Sequence, residues 1–84
     1  IGPEDVHIHY HIGPGYAQPS PEGAAAVRRL ARREGILVDP VYTGKALAGL
    51  FQLLEEGYFD RDEHILFVHT GGAGALFAVD LPEE

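Results

Sequence analysis

No cysteine occurs in the 84 residues, which removes disulfides, thiolate metal ligands and a cysteine nucleophile, and leaves the redox compartment open. Methionine is absent too, and lysine occurs once, at Lys45. A chain that starts at Ile1 without methionine reads as the interior or a trimmed piece of a longer one. No apolar run approaches the roughly 18 residues of a membrane span, and no secretory leader pattern is present. Cationic charge is scarce: six Lys and Arg stand against 13 Asp and Glu, a formal net charge of −7. An acidic surface argues against nucleic acid or an anionic membrane as partner. Four of the basic residues, Arg28, Arg29, Arg32 and Arg33, fall within one helical pattern and read as its solvated face. The hydrophobic share of 45% is that of a globular protein, and the length allows one small domain at most.

The chain is organised around Asp39-Pro40-Val41-Tyr42-Thr43-Gly44-Lys45, between two helical patterns. Pro40 fixes its own φ and pushes Asp39 out of the helical region, so the chain turns there. Thr43 suits the N-cap of the helix that follows, which leaves Tyr42 projecting at a helix entrance beside free backbone N–H groups. Such a phenol is a candidate for chemistry; the competing reading is a loop tyrosine that only packs. Upstream, Ser20-Pro21-Glu22 starts a helix that runs to Glu34 and ends at Gly35, with Ala24, Val27, Leu30 and Ala31 as its apolar stripe. Ile36, Leu37 and Val38 form a short apolar plug. Downstream, Ala46 to Glu56 reads as a helix closed by Gly57, with Leu47, Leu50, Phe51 and Leu54 at core spacing and Ala46 and Leu53 beside them.

Two runs read as strands. Val6, Ile8, Tyr10 and Ile12 alternate with His7, His9 and His11, the period of a strand with one apolar face. The three imidazoles share the other face with Cα atoms roughly 6.5–7 Å apart, so a metal site competes with an exposed or subunit-facing histidine face. The second reading is favoured, because no further ligand cluster stands nearby. After the acidic connection from Tyr58 to Glu63, Ile65-Leu66-Phe67-Val68 has the composition of a strand buried on both faces, as in a parallel sheet. It exits into His69-Thr70-Gly71-Gly72-Ala73-Gly74, followed by a helical turn at Ala75 to Ala78 and a frayed tail from Asp80 to Glu84. Strand, helix, helix, strand is an α/β pattern. Ligands in such sheets sit beyond the carboxyl ends of the strands, which puts Thr70, Gly71 and Gly72 at a ligand-facing edge where the glycines admit close approach. The loop is neither a Walker loop nor a dinucleotide fingerprint.

Three stretches taken together go further. Gly13-Pro14-Gly15-Tyr16, the run from Glu34 through Asp39-Pro40-Val41-Tyr42-Thr43-Gly44-Lys45, and His69-Thr70-Gly71-Gly72 resemble the C-terminal part of the D-cysteine desulfhydrase and 1-aminocyclopropane-1-carboxylate deaminase family. The resemblance runs from about Val6 to Ala78. It implies a pyridoxal-phosphate-dependent enzyme of the tryptophan-synthase β-like fold (fold type II). The fold class expected is therefore α/β, a piece of a parallel-sheet, three-layer enzyme, with residues 1–84 the C-terminal portion of its larger catalytic domain.

By the same resemblance Tyr42 is the acid/base or nucleophilic phenol and Tyr16 orients or activates it. Thr70 holds the pyridine nitrogen of pyridoxal 5′-phosphate, Gly71 and Gly72 give the ring room, and Thr43 belongs to the cofactor-binding set. In the deaminase branch Glu follows the central tyrosine and Leu precedes the paired glycines. Thr43 and Thr70 stand there instead and point to the desulfhydrase branch, which turns a D-amino acid into hydrogen sulfide, ammonia and pyruvate. Two departures bear on the branch and the substrate: His9-Tyr10-His11 replaces an acidic pair before the Gly-Pro-Gly-Tyr turn, and Gly74 replaces a proline. The family pattern puts the Schiff-base lysine and the phosphate loop upstream and gives Lys45 no such role, so the 84 residues alone are expected to be inactive. The resemblance also implies a small amino-acid substrate, the upstream part of the same enzyme as partner, a homodimer, and a cytoplasmic location. The alternatives are an aminocyclopropanecarboxylate deaminase and a non-catalytic ligand- or metal-binding module.

Overall fold

A computed structural model describes residues 1–10, 15, 18–72, 74 and 81. Two helices carry the fold: α1, Pro21–Glu34, and α2, Thr43–Glu55, preceded by a 3-10 turn at Pro3–Asp5 that the alternation at Val6 did not foreshadow. Local chemistry sets the ends of α1. The Ser20 hydroxyl accepts the Gly23 N–H at 3.0 Å, Pro21 occupies the first helical position, and Glu22 lies in the first turn, so an orphan donor and the helix dipole are both answered. Gly35 ends the helix in the left-handed region, φ 66°, its N–H bonded to the Ala31 carbonyl.

The second helix differs from expectation at its start. Thr43 is its first residue and not its cap; Tyr42 stands at the cap, with no side-chain hydrogen bond of its own into the helix. The reason is that Asp39 does the capping from three residues earlier, which lets the helix begin at Thr43 instead of Ala46. At the other end Tyr58 N–H reaches the Leu53 carbonyl at 3.0 Å and Gly57 N–H the Leu54 carbonyl at 3.2 Å, the paired bonds of a Schellman closure around Gly57.

The helices pack against each other through small residues. A Cβ on Gly44 would lie 2.5 Å from the Asp39 carbonyl oxygen and 2.8 Å from Val27 Cγ2, so only glycine allows this approach. The core consists of Ala26, Val27, Val38 and Leu47, with Leu30, Ala48, Leu50, Phe51, Phe67 and Leu81 half-buried around it. Of the apolar plug only Val38 is fully buried; Ile36 and Leu37 are exposed. Leu54 and Ala46 also face outward. The arginine face is not wholly solvated: Arg29 places its guanidinium 4.4 Å from the Phe51 ring centroid, and half-buried Arg28 donates to the Leu81 carbonyl at 3.5 Å. Leu81 is thereby packed on the core and not frayed.

Neither expected strand is seen in the described part of its run. Among the described residues there is no β-strand, and Val6–Tyr10 and Ile65–Val68 run without ladder partners. A strand exists only by pairing its N–H and C=O groups with a neighbour, and no described segment pairs with either run. Their apolar side chains accordingly stand in the open: Ile8 is 72% and Leu66 89% exposed. His7 and His9 meet the Tyr58 ring edge-on at centroid distances of 6.3 and 5.3 Å, and among the described residues no group of three or more His, Asp or Glu is placed to hold a metal ion. His11, Ile12, the Gly13-Pro14 pair, Tyr16 and the helical turn expected at Ala75 to Ala78 lie outside the described residues.

Candidate active site

The turn from Asp39 to Thr43 is closed by one carboxylate. Asp39 Oδ2 accepts the N–H groups of Val41 at 2.8 Å and Tyr42 at 2.6 Å; Oδ1 accepts the Thr43 N–H at 2.9 Å and its hydroxyl at 2.6 Å. The Asp39 N–H donates back to Thr43 Oγ1 at 2.9 Å, and the Asp39 carbonyl accepts Gly44 N–H at 2.7 Å. This reciprocal arrangement is a relative of the capping box, spaced four residues apart instead of three. Asp39 has no exposed surface. Burial works to raise its pKa, but the Thr43 hydroxyl and the N–H groups of Thr43, Tyr42 and Val41 outweigh it and hold the carboxyl below its ordinary value, so the group is ionised.

Two expectations change as a result. The N–H groups at the entrance of α2 are not free: Asp39 consumes those of residues 41–43 through its side chain and that of Gly44 through its carbonyl. The N–H groups of residues 41–44 are therefore already engaged. The Thr43 hydroxyl, 3% exposed, is likewise engaged in both directions with Asp39. Tyr42 does project, with 57% of its surface exposed, on a backbone pinned from beneath.

The glycine-rich exit docks onto this turn. Gly71 N–H donates to His69 Nδ1 at 3.1 Å, so the ring proton belongs on Nε2, which lies 2.7 Å from the Leu37 carbonyl oxygen. Gly72, at φ 85°, passes so close that a Cβ there would be 3.0 Å from Asp39 Oδ1 and 3.1 Å from its Cγ. Glycine at 72 thus makes room for Asp39. At Gly71, φ 101°, a Cβ would meet nothing within 4 Å. Thr70 is exposed. The structure therefore brings Tyr42, Thr43, Thr70, Gly71 and Gly72 to one end of the helix pair, with Asp39 between the two loops. Asp39 is the member the residue patterns did not single out; an Asp before Pro with Thr four positions on is the signal of an Asx-type turn that could have found it.

Lys45 is buried, and its ammonium donates to the Gly15 carbonyl at 2.9 Å. It ties Gly15 to the start of α2. A separate cavity of about 520 Å³ between the helices is lined by Ala26, Arg29, Lys45, Ala48 and Phe51 among others, and by none of the five site residues.

The backbone is open at Gly71, next to the exposed Thr70. The family model for pyridoxal-phosphate dependent enzymes matches residues 3–71. The chain belongs to that family. It is 56% identical over 78 residues to the D-cysteine desulfhydrase of Yersinia enterocolitica serotype O:8 / biotype 1B (strain NCTC 13174 / 8081), covering 92% of this chain and 24% of that protein. It is 59% identical over 68 residues to the D-cysteine desulfhydrase of Klebsiella pneumoniae (strain 342), covering 81% of this chain and 21% of that protein. The chain thus spans between a fifth and a quarter of the length of these relatives. That family is pyridoxal-phosphate dependent and of α/β fold.

Proposed function

We propose that these residues form part of a pyridoxal-phosphate-dependent D-cysteine desulfhydrase. Residues 1–84 would be the C-terminal portion of its larger catalytic domain. The observation that carries the reading is the docking of residues 69–72 on residues 37–39, which puts an exposed phenol and an exposed hydroxyl on adjoining loops. The names of the two similar proteins supply the substrate class. In the complete enzyme the runs at Val6–Tyr10 and Ile65–Val68 would enter a parallel sheet whose other strands come from the upstream part, which would cover their exposed side chains. The homodimer and cytoplasmic location belong to the same proposal; among the described residues no helix is long and apolar enough to cross a membrane.

The reaction consumes one water. The Cα–H bond of D-cysteine breaks, the Cβ–S bond breaks with sulfur leaving as hydrogen sulfide, and hydrolysis of the resulting enamine gives ammonia and pyruvate. Bound pyridoxal phosphate supplies the electron sink for the carbon that loses its proton. Thr70 would hold its ring nitrogen through a neutral hydroxyl, and Gly71 and Gly72 would leave the ring its space. Thr43 contributes by locking the turn through Asp39. Tyr42 takes or gives the proton in flight, and Tyr16 orients or activates it. A phenol near pKa 10 needs a cationic or hydrogen-bonding neighbour to act as a base at pH 7. Lys45, committed to Gly15, serves the architecture, and the amine that binds the cofactor comes from the upstream part.

The test is product analysis on the complete enzyme loaded with cofactor. Sulfide and pyruvate in equal amounts from D-cysteine support the reading. Ammonia from 1-aminocyclopropane-1-carboxylate without sulfide from D-cysteine would transfer the assignment to the deaminase.

A further inference from the structure

We propose that Asp39 is a positioning residue for this reaction: its buried carboxylate fixes the backbone of Tyr42 and the seat of Gly72 together, and so sets where the phenol stands relative to Thr70 and Gly71. The inference rests on the assignment of Tyr42 as the acid/base phenol.

Three observations lead to it. The same carboxylate bonds the N–H groups of Val41, Tyr42 and Thr43 and abuts Gly72, so one group touches both loops of the site. Its oxygens are shared out, Oδ2 to Val41 and Tyr42, Oδ1 to Thr43 and the Gly72 side. A rotation about its side-chain bonds would therefore move both loops at once. Finally, Asp39 is fully buried while Tyr42 and Thr70 are exposed, so it acts through the neighbours it holds. A helix needs only an N-cap to start, and an ordinary cap would not require a glycine across from it. The close approach of Gly72 is what a purely structural cap leaves without a reason.

Position matters steeply in catalysis: a displacement of about 1 Å can cost roughly a hundredfold in rate. The Asp39→Asn side chain keeps the shape but brings an amide NH2 against N–H donors, so one of the two oxygen acceptors is lost. The experiment uses the complete, cofactor-loaded enzyme and compares D39N, Thr43→Val, Thr43→Ser and Tyr42→Phe. For each it records kcat and KM separately, the bound-cofactor absorption, the melting temperature, and backbone amide exchange at residues 41–43. For D39N the expected result is kcat lower by roughly tenfold to a hundredfold, KM within about threefold, cofactor absorption retained, and faster exchange at Tyr42. T43V removes both bonds between its side chain and Asp39 and should lose roughly tenfold in kcat, while T43S, which keeps the hydroxyl, stays within about threefold.

A folded D39N with wild-type kcat overturns the inference. If D39N does not fold, the threonine pair decides: equal kcat in T43V, T43S and wild type overturns it as well. Failure of the underlying assignment looks different. A fully active Y42F removes Tyr42 from the chemistry and the inference with it, whereas an inactive Y42F beside unimpaired D39N and T43V sinks the role of Asp39 alone.

Discussion

At the scale of single residues, the acid response of the protein should follow Asp39. Its pKa in the fold lies below the ordinary carboxylate value, so its contribution to stability is complete above the unfolded pKa of about 3.9 and is lost as pH falls through the lower folded value. Urea unfolding of wild type between pH 6 and pH 3 should therefore show a loss of stability that D39N lacks over that interval. At pH 7 the same substitution should cost about 1–3 kcal/mol, the usual penalty for leaving a buried donor unmatched. Tyr42→Phe belongs at this scale too. Its ring is largely exposed and its backbone bond to Asp39 survives the change, so the melting temperature should hardly move. The rate should drop by roughly 10²- to 10⁴-fold, the range for a lost acid/base group. A rate within threefold of wild type would remove the phenol from the mechanism.

The helices set where those residues stand. Gly44→Ala forces a methyl group against the Asp39 carbonyl and Val27; an overpacked contact of this kind costs about 1–3 kcal/mol, measurable as a lower urea midpoint with an unchanged slope. Lys45→Met should retain the cofactor absorption, because the ammonium serves the Gly15 carbonyl; its disappearance would make Lys45 the cofactor amine. Much of this level was legible in the residues alone. Ser20-Pro21-Glu22 and Gly35 bound α1 to within a residue because caps are local chemistry. The start of α2 came out at Ala46, three residues late, because the capping by Asp39 depends on a turn that only Pro40 and Thr43 together close. The crossing of Gly72 over Asp39 joins positions 33 apart in sequence, and no local pattern announces it. Alternation at Val6–Tyr10 and the apolar run at Ile65–Val68 read as strands that do not appear among the described residues, because pairing is a property of two segments and no described segment pairs with either.

For the whole molecule, the side chains of Val6, Ile8, Leu66 and Val68 are exposed, and the chain spans at most about a quarter of the length of its relatives. The 84 residues by themselves should bind a hydrophobic dye, remain without pyridoxal phosphate, and unfold with little cooperativity. A sharp thermal transition with no dye binding would show that the helix pair and its core suffice. The central claim concerns chemistry, and it is tested most directly by products released from D-cysteine by the complete enzyme and its Y42F variant. Wild type should yield sulfide and pyruvate in a one-to-one ratio, and Y42F should retain the bound cofactor while losing nearly all of both products. Absence of sulfide from wild-type enzyme carrying its cofactor would contradict the account.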